Sequence, residues 1–382
     1  MTGRITGEFV CERCGRREAG AALVWRCAAC AGPLAWQGPA SFRAADVCAE
    51  RQGLWRYAAA LPVSYNPATS LGEPATPLVE GRIGGAPALL KLDYLLPSGS
   101  FKDRGAAVLI GGLAALGVRR VLEDSSGNAA AAIAAYSARA GLACTIYAPE
   151  SASAGKLVQV RACGAELVRV PGPRAAATEA ALAAVARGEA FYASHNWHPW
   201  FIEGVKTWAF EVWEQLGRLP AAVVAPVGSG SMLLGAERAF AALRAGGAPG
   251  PSPRLFAAQP AACAPVHLAH QAGAGTVAAV TAAPTLAEGA SIAAPVRGPA
   301  LLRAVRASGG GTVAVDESEI VAALGELWRQ GFYIEPTAAV AAAGARRLRA
   351  AGRLAPDEEV VVLLSGSGLK ATERIAAILD EA

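Results

Sequence analysis

The chain has 30 arginines but only five lysines, at positions 91, 102, 156, 206 and 370, so each lysine asks for a reason. Lys102 lies in Pro97–Gly105, PSGSFKDRG, where a Gly/Ser turn leads into an apolar helix. A lysine that is held, partly desolvated and set at a helix N-terminus is one whose pKa can fall far enough for Schiff-base chemistry on a carbonyl. The plainer reading is a solvated cation at a helix start. Lys91, in LLKLD, reads as a strand-surface residue. Lys156 and Lys206 start or ride polar helix faces, and Lys370 starts a helix.

Three further segments share a design. SSGN (125–128), GSGS (228–231) and SGSG (365–368) each follow a short apolar run and precede a helical one. Glycine lets backbone approach a ligand, and free N–H groups at a helix N-terminus favour an anion. One such loop is an ordinary turn. Three in matching positions point to a ligand site, with GSGS as a phosphate cup.

These loops need a scaffold. The apolar runs at 118–122, 142–147, 221–226 and 359–364 read as buried strands, and the stretches at 129–140, 155–163, 232–243 and 369–379 read as helices. Strands alternating with helices predict an α/β fold with parallel sheets covered on both faces, ligands lying beyond the strands' carboxyl ends. Gly/Pro-rich stretches at 245–253 and 307–311 read as surface loops, and no internal repeat is visible. At the N-terminus Cys11, Cys14, Cys27 and Cys30 form two CxxC knuckles whose spacing suits structural Zn2+ held by four thiolates, which leaves no open position for catalysis. A disulfide pair, or a knuckle folding without metal, is the alternative. His267 and His270 read as a polar helix face rather than a metal site.

Bulk properties remove other classes. The net charge of +4 is small for 382 residues, and the arginines are scattered without basic blocks, so nucleic acid is not an expected partner. The apolar run between Arg104 and Arg119 falls short of the roughly 20 residues a bilayer needs. The start of the chain lacks the apolar core of a signal peptide. A cytoplasmic enzyme, without membrane association, is the expectation.

Taken in order, the four loops resemble those of the tryptophan-synthase-β-like (fold type II) pyridoxal-phosphate (PLP) enzymes, and among them the threonine synthases. PSGSFKDRG is similar to the family's PLP-lysine motif, SSGNAAAAIAAYSARAG to its Ser/Thr-Gly-Asn loop and helix, VGSGSM to its phosphate loop and LLSGSGLK to the segment facing the pyridine nitrogen. FIEGVKTWAFEVWEQLG, EGASIAAPVRGP and GFYIEPTAAVAAAG also resemble threonine-synthase segments, and many members carry an N-terminal CxxC–CxxC element. The resemblance implies a two-lobed fold, with a zinc knuckle at 1–45, a large PLP-binding domain at 46–95 and 196–382, and a small substrate-side domain at 96–195. It implies that Lys102 carries the cofactor aldehyde as a Schiff base and moves the Cα proton. Asn128 would bond the cofactor's phenolate oxygen, Gly228, Ser229, Gly230 and Ser231 its phosphate, and Ser365 its pyridine nitrogen. A hydroxyl at Ser365 moderates the electron sink, which suits elimination and replacement more than transamination. Ser125 and Ser126 would hold the substrate carboxylate. The implied substrate is a small amino acid, and a homodimer is expected because dimers are common among the relatives.

The chain departs from the family at its substrate wall. Where members read Asn-Ser-x-Asn-Pro-x-Arg-x-Glu-Gly, it reads HNWHPWFIEG over 195–204. Phe201 thus replaces a phosphate-binding arginine, His195 an asparagine, and Met232 an asparagine of the phosphate loop. Losing a bidentate arginine from a buried phosphate costs on the order of 2–5 kcal/mol if nothing compensates. Trp197, Trp200 and Phe201 make this wall aromatic or pack as a lid, and His195 and His198 are structural or serve as a second acid or base. The expected activity is a carbon–oxygen lyase, best named as O-phosphohomoserine plus water to threonine plus phosphate. A serine/threonine deaminase or a β-replacement synthase is the rival enzyme, and a non-catalytic PLP-binding scaffold the rival of another class.

Overall fold

The structure, a computed structural model, describes residues 5–152 and 154–380; the side chains at 154–156 also lie outside the description, and with them the reading of Lys156. The chain divides into two compact units, one made of residues 1–75 and 96–207, the other of 76–95 and 208–382.

The first unit is built on a parallel four-stranded sheet in the order Glu166–Val170, Ala143–Pro149, Arg120–Glu123 and Phe191–Tyr192. Val121 and Leu122 are fully enclosed, as a parallel strand covered on both faces requires. The Asn128–Ala140 helix buries alanines along most of its length and ends at Gly141, whose φ of 68° forms a left-handed cap. Small residues also let the Lys102–Ala115 helix come close to its neighbours. A Cβ on Gly112 would lie 2.4 Å from the Trp200 ring. An antiparallel ribbon of Glu8–Cys11, Arg17–Ala19 and Leu34–Gln37 belongs to the same unit.

The second unit holds a six-stranded sheet in the order Gly311–Val315, Arg254–Pro260, Ala222–Pro226, Val360–Leu363, Ala86–Lys91 and Leu78–Ile83. Every pairing is parallel except the last. The AVVAP and VVVL strands at its centre are wholly buried, matching their unbroken apolar runs. The alanine-rich Pro336–Ala350 helix covers one face, and Gly344 lets it settle, since a Cβ there would meet Ala258 Cβ at 2.7 Å. Among the described residues no helix is long and apolar enough to cross a membrane.

Two lysine readings are corrected. Lys91 is not on the surface but 0% exposed, its Nζ donating to Glu211 Oε2 at 2.7 Å, Gln215 Oε1 at 3.0 Å and the Thr76 carbonyl at 2.6 Å. Lys206 is likewise buried, on Glu203. Removing one partner of a buried pair strands the other charge, so Lys91→Ala is expected to cost about 3–5 kcal/mol. Urea unfolding of the two proteins measures it, and a loss under about 1 kcal/mol would contradict the account.

Candidate active site

In a parallel sheet every strand leaves by the same edge, so the loops that follow gather there. In the first unit the Arg120–Glu123 strand runs into Asp124-Ser-Ser-Gly and the Asn128–Ala140 helix. Beside it, Phe191–Tyr192 runs into Ala193–His198 and the Pro199–Val205 helix. Leu122 pairs with Tyr192, and Ala193 N donates to Leu122 O at 2.9 Å, so the residues just beyond meet. Glu123 Oε1 lies 2.9 Å from His195 Nδ1, and Oε2 accepts the His195 backbone N–H at 2.9 Å. Next along, Asp124 accepts from Tyr192 Oη at 2.8 Å and from Thr178 Oγ1 at 2.6 Å.

This acid–imidazole pair is buried, Glu123 at 0% and His195 at 5% exposure. Burial, and then the Asp124 charge, push the Glu123 carboxyl well above its ordinary range, against the His195 N–H. Burial, and then the charges of Lys102 and Arg174, hold the His195 ring well below its ordinary value. Burial thus favours the uncharged form of each group. Glu123 was invisible as a site residue in the sequence; the available signal was an acid closing an apolar strand directly before SSGN.

Lys102 opens the Lys102–Ala115 helix, and its Nζ lies 4.6 Å from the centroid of Phe101 and 5.6 Å from that of Phe201. Asp103 pins the preceding turn by accepting from Ser98 N at 2.6 Å and from Ser98 Oγ. Ser100 Oγ is buried without a partner. Phe201 is fully enclosed, edge-on to His195 at 5.8 Å between ring centroids. Its place depends on glycine: a Cβ on Gly105 would sit 2.6 Å from its ring, and one on Gly204 would sit 2.0 Å from Arg104 O. Lys102, Phe201, His195 and Glu123 thus form one cluster. Gly127, between Ser126 and Asn128, donates its N–H to Ser125 Oγ at 3.3 Å, and Ser126 is half-buried.

The aromatic wall is narrower than the sequence suggested. Trp200 packs on Phe9 and Trp36 of the ribbon at 5.6 and 5.8 Å, and on His198 at 5.0 Å. Trp197 meets Trp25 at 5.4 Å. His198 serves the helix as its N-cap, accepting from Trp200 N at 3.3 Å. These three side chains hold the ribbon and helix, while Phe201 has the Lys102 Nζ 5.6 Å from its ring centroid.

In the second unit, GSGS links the Ala222–Pro226 strand to the Ser231–Ala245 helix. Gly230 has φ 82°, and a Cβ on it would meet Leu301 at 2.3 Å. One on Gly228 would lie 3.0 Å from Gly289 O. Ser231 Oγ is buried and has no partner among the described residues, which suits a loop shaped for an anion. Met232 is buried, and its carbonyl accepts from Trp208 Nε1 at 3.2 Å. Ser365 follows the Val360–Leu363 strand and is buried; Gly366 O next to it accepts from Glu335 N at 3.0 Å.

In the ribbon the sulfurs of Cys11, Cys14, Cys27 and Cys30 all lie within 4.8 Å of one another. Cys11 and Cys30 are 3.5 Å apart and Cys14 and Cys27 3.6 Å. Tetrahedral Zn–S bonds of about 2.3 Å put sulfurs about 3.8 Å apart, so one ion fits.

A family model described as pyridoxal-phosphate dependent enzyme matches residues 69–366. The chain is similar to the threonine synthase of Methanocaldococcus jannaschii, 34% identical over 327 residues that cover 83% of this chain and 80% of that one. It is 30% identical to the threonine synthase of Methanosarcina acetivorans over 382 residues, 97% and 94% of the two chains. Among solved structures it is similar to a threonine deaminase from T.th., with a TM-score of 0.65 and 28% identity over 77% of this chain and 92% of that one.

The seating of Phe201 on Gly105 is testable by itself. Gly105→Ala is expected to destabilise by about 1–3 kcal/mol through overpacking. In chemical unfolding, Gly105→Ala/Phe201→Ala should then be no less stable than Phe201→Ala; additive losses would refute the contact.

Proposed function

Since the chain belongs to the pyridoxal-phosphate dependent enzyme family, we propose that it is a threonine synthase-like carbon–oxygen lyase that forms or breaks a C–O bond on a small amino acid. The observation that carries the cofactor assignment is the glycine cradle at 228–231 with its buried, unpartnered Ser231 hydroxyl. The residues fit the group. Lys102 would bind it covalently, Gly228, Ser229, Gly230 and Ser231 would hold its phosphate, Asn128 its phenolate oxygen and Ser365 its pyridine nitrogen. When bound, PLP supplies an electron sink for charge developing at Cα. Lys102 then moves the Cα proton, while Ser125 and Ser126, next to a helix N-terminus, orient the substrate carboxylate.

The activity with most support from the relatives is O-phosphohomoserine plus water to threonine plus phosphate. Phe201 favours a second reading. An enclosed ring touching Lys102 occupies the position of a phosphate-binding arginine, which suits a non-phosphorylated amino acid undergoing deamination or β-replacement. Phosphate release from O-phosphohomoserine by the PLP-loaded protein, with Lys102→Ala as blank, separates the two. Lys102-dependent phosphate with equimolar threonine supports the first. A yellow, Lys102-dependent cofactor that releases no phosphate, but turns serine into ammonia and a 2-oxo acid, supports the second. Binding of PLP with no amino acid changed would leave only a scaffold role.

The ribbon is assigned as a structural zinc site held by Cys11, Cys14, Cys27 and Cys30. One zinc per chain is expected by elemental analysis, and Cys27→Ser should lose it. A metal-free protein with unchanged thermal stability would overturn the assignment.

A further inference from the structure

We propose that His195 and Glu123 act as one proton-holding unit that exchanges a proton with the oxygen leaving or arriving at the substrate's Cβ. The inference rests on the lyase reading above and holds for both of its forms, since water adds at Cβ in one and a hydroxyl leaves in the other.

The geometry is that of a relay. Glu123 engages His195 twice, at Nδ1 and at the backbone N–H, both at 2.9 Å, so the ring has one orientation. Among the described residues Nε2 has no hydrogen-bond partner. The ring lies against Phe201, and Phe201 has the Lys102 Nζ 5.6 Å from its centroid, so His195 stands one side chain away from the reacting lysine. The charged groups acting on the pair are Lys102 at one helix start, Arg174 at another, and Asp124 beside Glu123 on the strand end. Burial, with Asp124 acting on the acid and Lys102 and Arg174 on the ring, favours the uncharged form of each, and the proposal takes the pair in that form. With Glu123 protonated, Oε1–H donates to Nδ1, and the imidazole proton sits on Nε2.

The proton count closes. Lys102 takes the Cα proton, the released electron pair forms the Cα–Cβ double bond, and the Cβ–O bond breaks with its pair on oxygen. That oxygen takes the proton from Nε2, and the Glu123 proton passes to Nδ1. The ring stays neutral and Glu123 becomes a carboxylate. In the water-adding form the departing phosphate takes the Nε2 proton first and leaves Glu123 a carboxylate; water adding at Cβ then runs the transfers backwards, giving its proton to Nε2 while Nδ1 returns its own to Glu123. A hydroxide leaving group needs this donor, whereas chloride does not.

Glu123→Gln is the informative variant, because its amide keeps an acceptor for the His195 N–H and a donor for Nδ1 but has no proton to give. Elimination from L-serine and from β-chloro-L-alanine would be measured on the PLP-loaded wild type, Glu123→Gln, His195→Gln and His195→Asn. The serine-to-chloroalanine rate ratio is expected to fall at least about 100-fold in each variant, the lower end of the range for general acid catalysis. If the wild type prefers O-phosphohomoserine, the corresponding quantity is threonine formed per phosphate released. Equal losses on both substrates would reduce the pair to packing and overturn the proposal. Independently of activity, 15N spectra of the four histidines, with His195→Gln for assignment, should show His195 neutral and protonated on Nε2 from pH 6 to 8. An imidazolium, or a proton on Nδ1, overturns the relay. A wild type that eliminates neither substrate would defeat the lyase reading instead, and the spectra would still decide the state of the pair.

Discussion

Parallel pairing is the constraint from which the candidate site follows. It sends all strands of a sheet out by one edge, and the backbone leaving that edge has N–H groups that the ladder no longer uses. In the first unit this places Glu123 next to the segment after Tyr192, 72 residues later in sequence. In the second it gives GSGS and SGSG the same relation to neighbouring strands, Ala222–Pro226 and Val360–Leu363. The glycines answer a second demand, that side chains vanish where backbone or a ligand must come close. Both demands are set by geometry before any chemistry is chosen.

How much was legible depends on the range of the interaction concerned. The strands and helices flanking the loops were readable because apolar runs and glycine punctuation are local signals. The cysteine cluster was readable for the same reason. Lys91 was misread because a buried ammonium is tolerated only with a partner, and Glu211 arrives from 120 residues away. Glu123 was missed because its meaning lies in a strand pairing, not in its neighbours. For Trp197 and Trp200 the sequence left wall and packing both open, and the ribbon contacts decide for packing; hydrophobicity says that a ring is covered, and says nothing of what covers it.

The charge pattern around Lys102 is unusual for a chain with so many arginines. Within the first unit, a phenyl ring lies against the lysine and a buried histidine–glutamate pair backs that ring, with Asp124 and Arg174 acting on the pair. Arginine is a permanent cation and attracts dianions whatever the pH. A phenyl ring carries no such charge, so contacts to it select by shape and apolar surface instead. The identity of position 201 therefore bears on more than one contact, since the same ring lies against Lys102 and backs His195.

The ribbon's aromatic footing has a consequence for how this architecture could have arisen. Phe9 and Trp36 do not rest on a surface; they interleave with Trp200, one residue before Phe201, and Trp25 interleaves with Trp197 and Tyr192. A module joined so deeply cannot be trimmed away as an accessory, because its loss would bare indoles and unseat the turn of helix that sets position 201. The ribbon and the substrate wall are thus bound to change together, and a relative lacking the cysteines should carry a different set of side chains at 197 and 200.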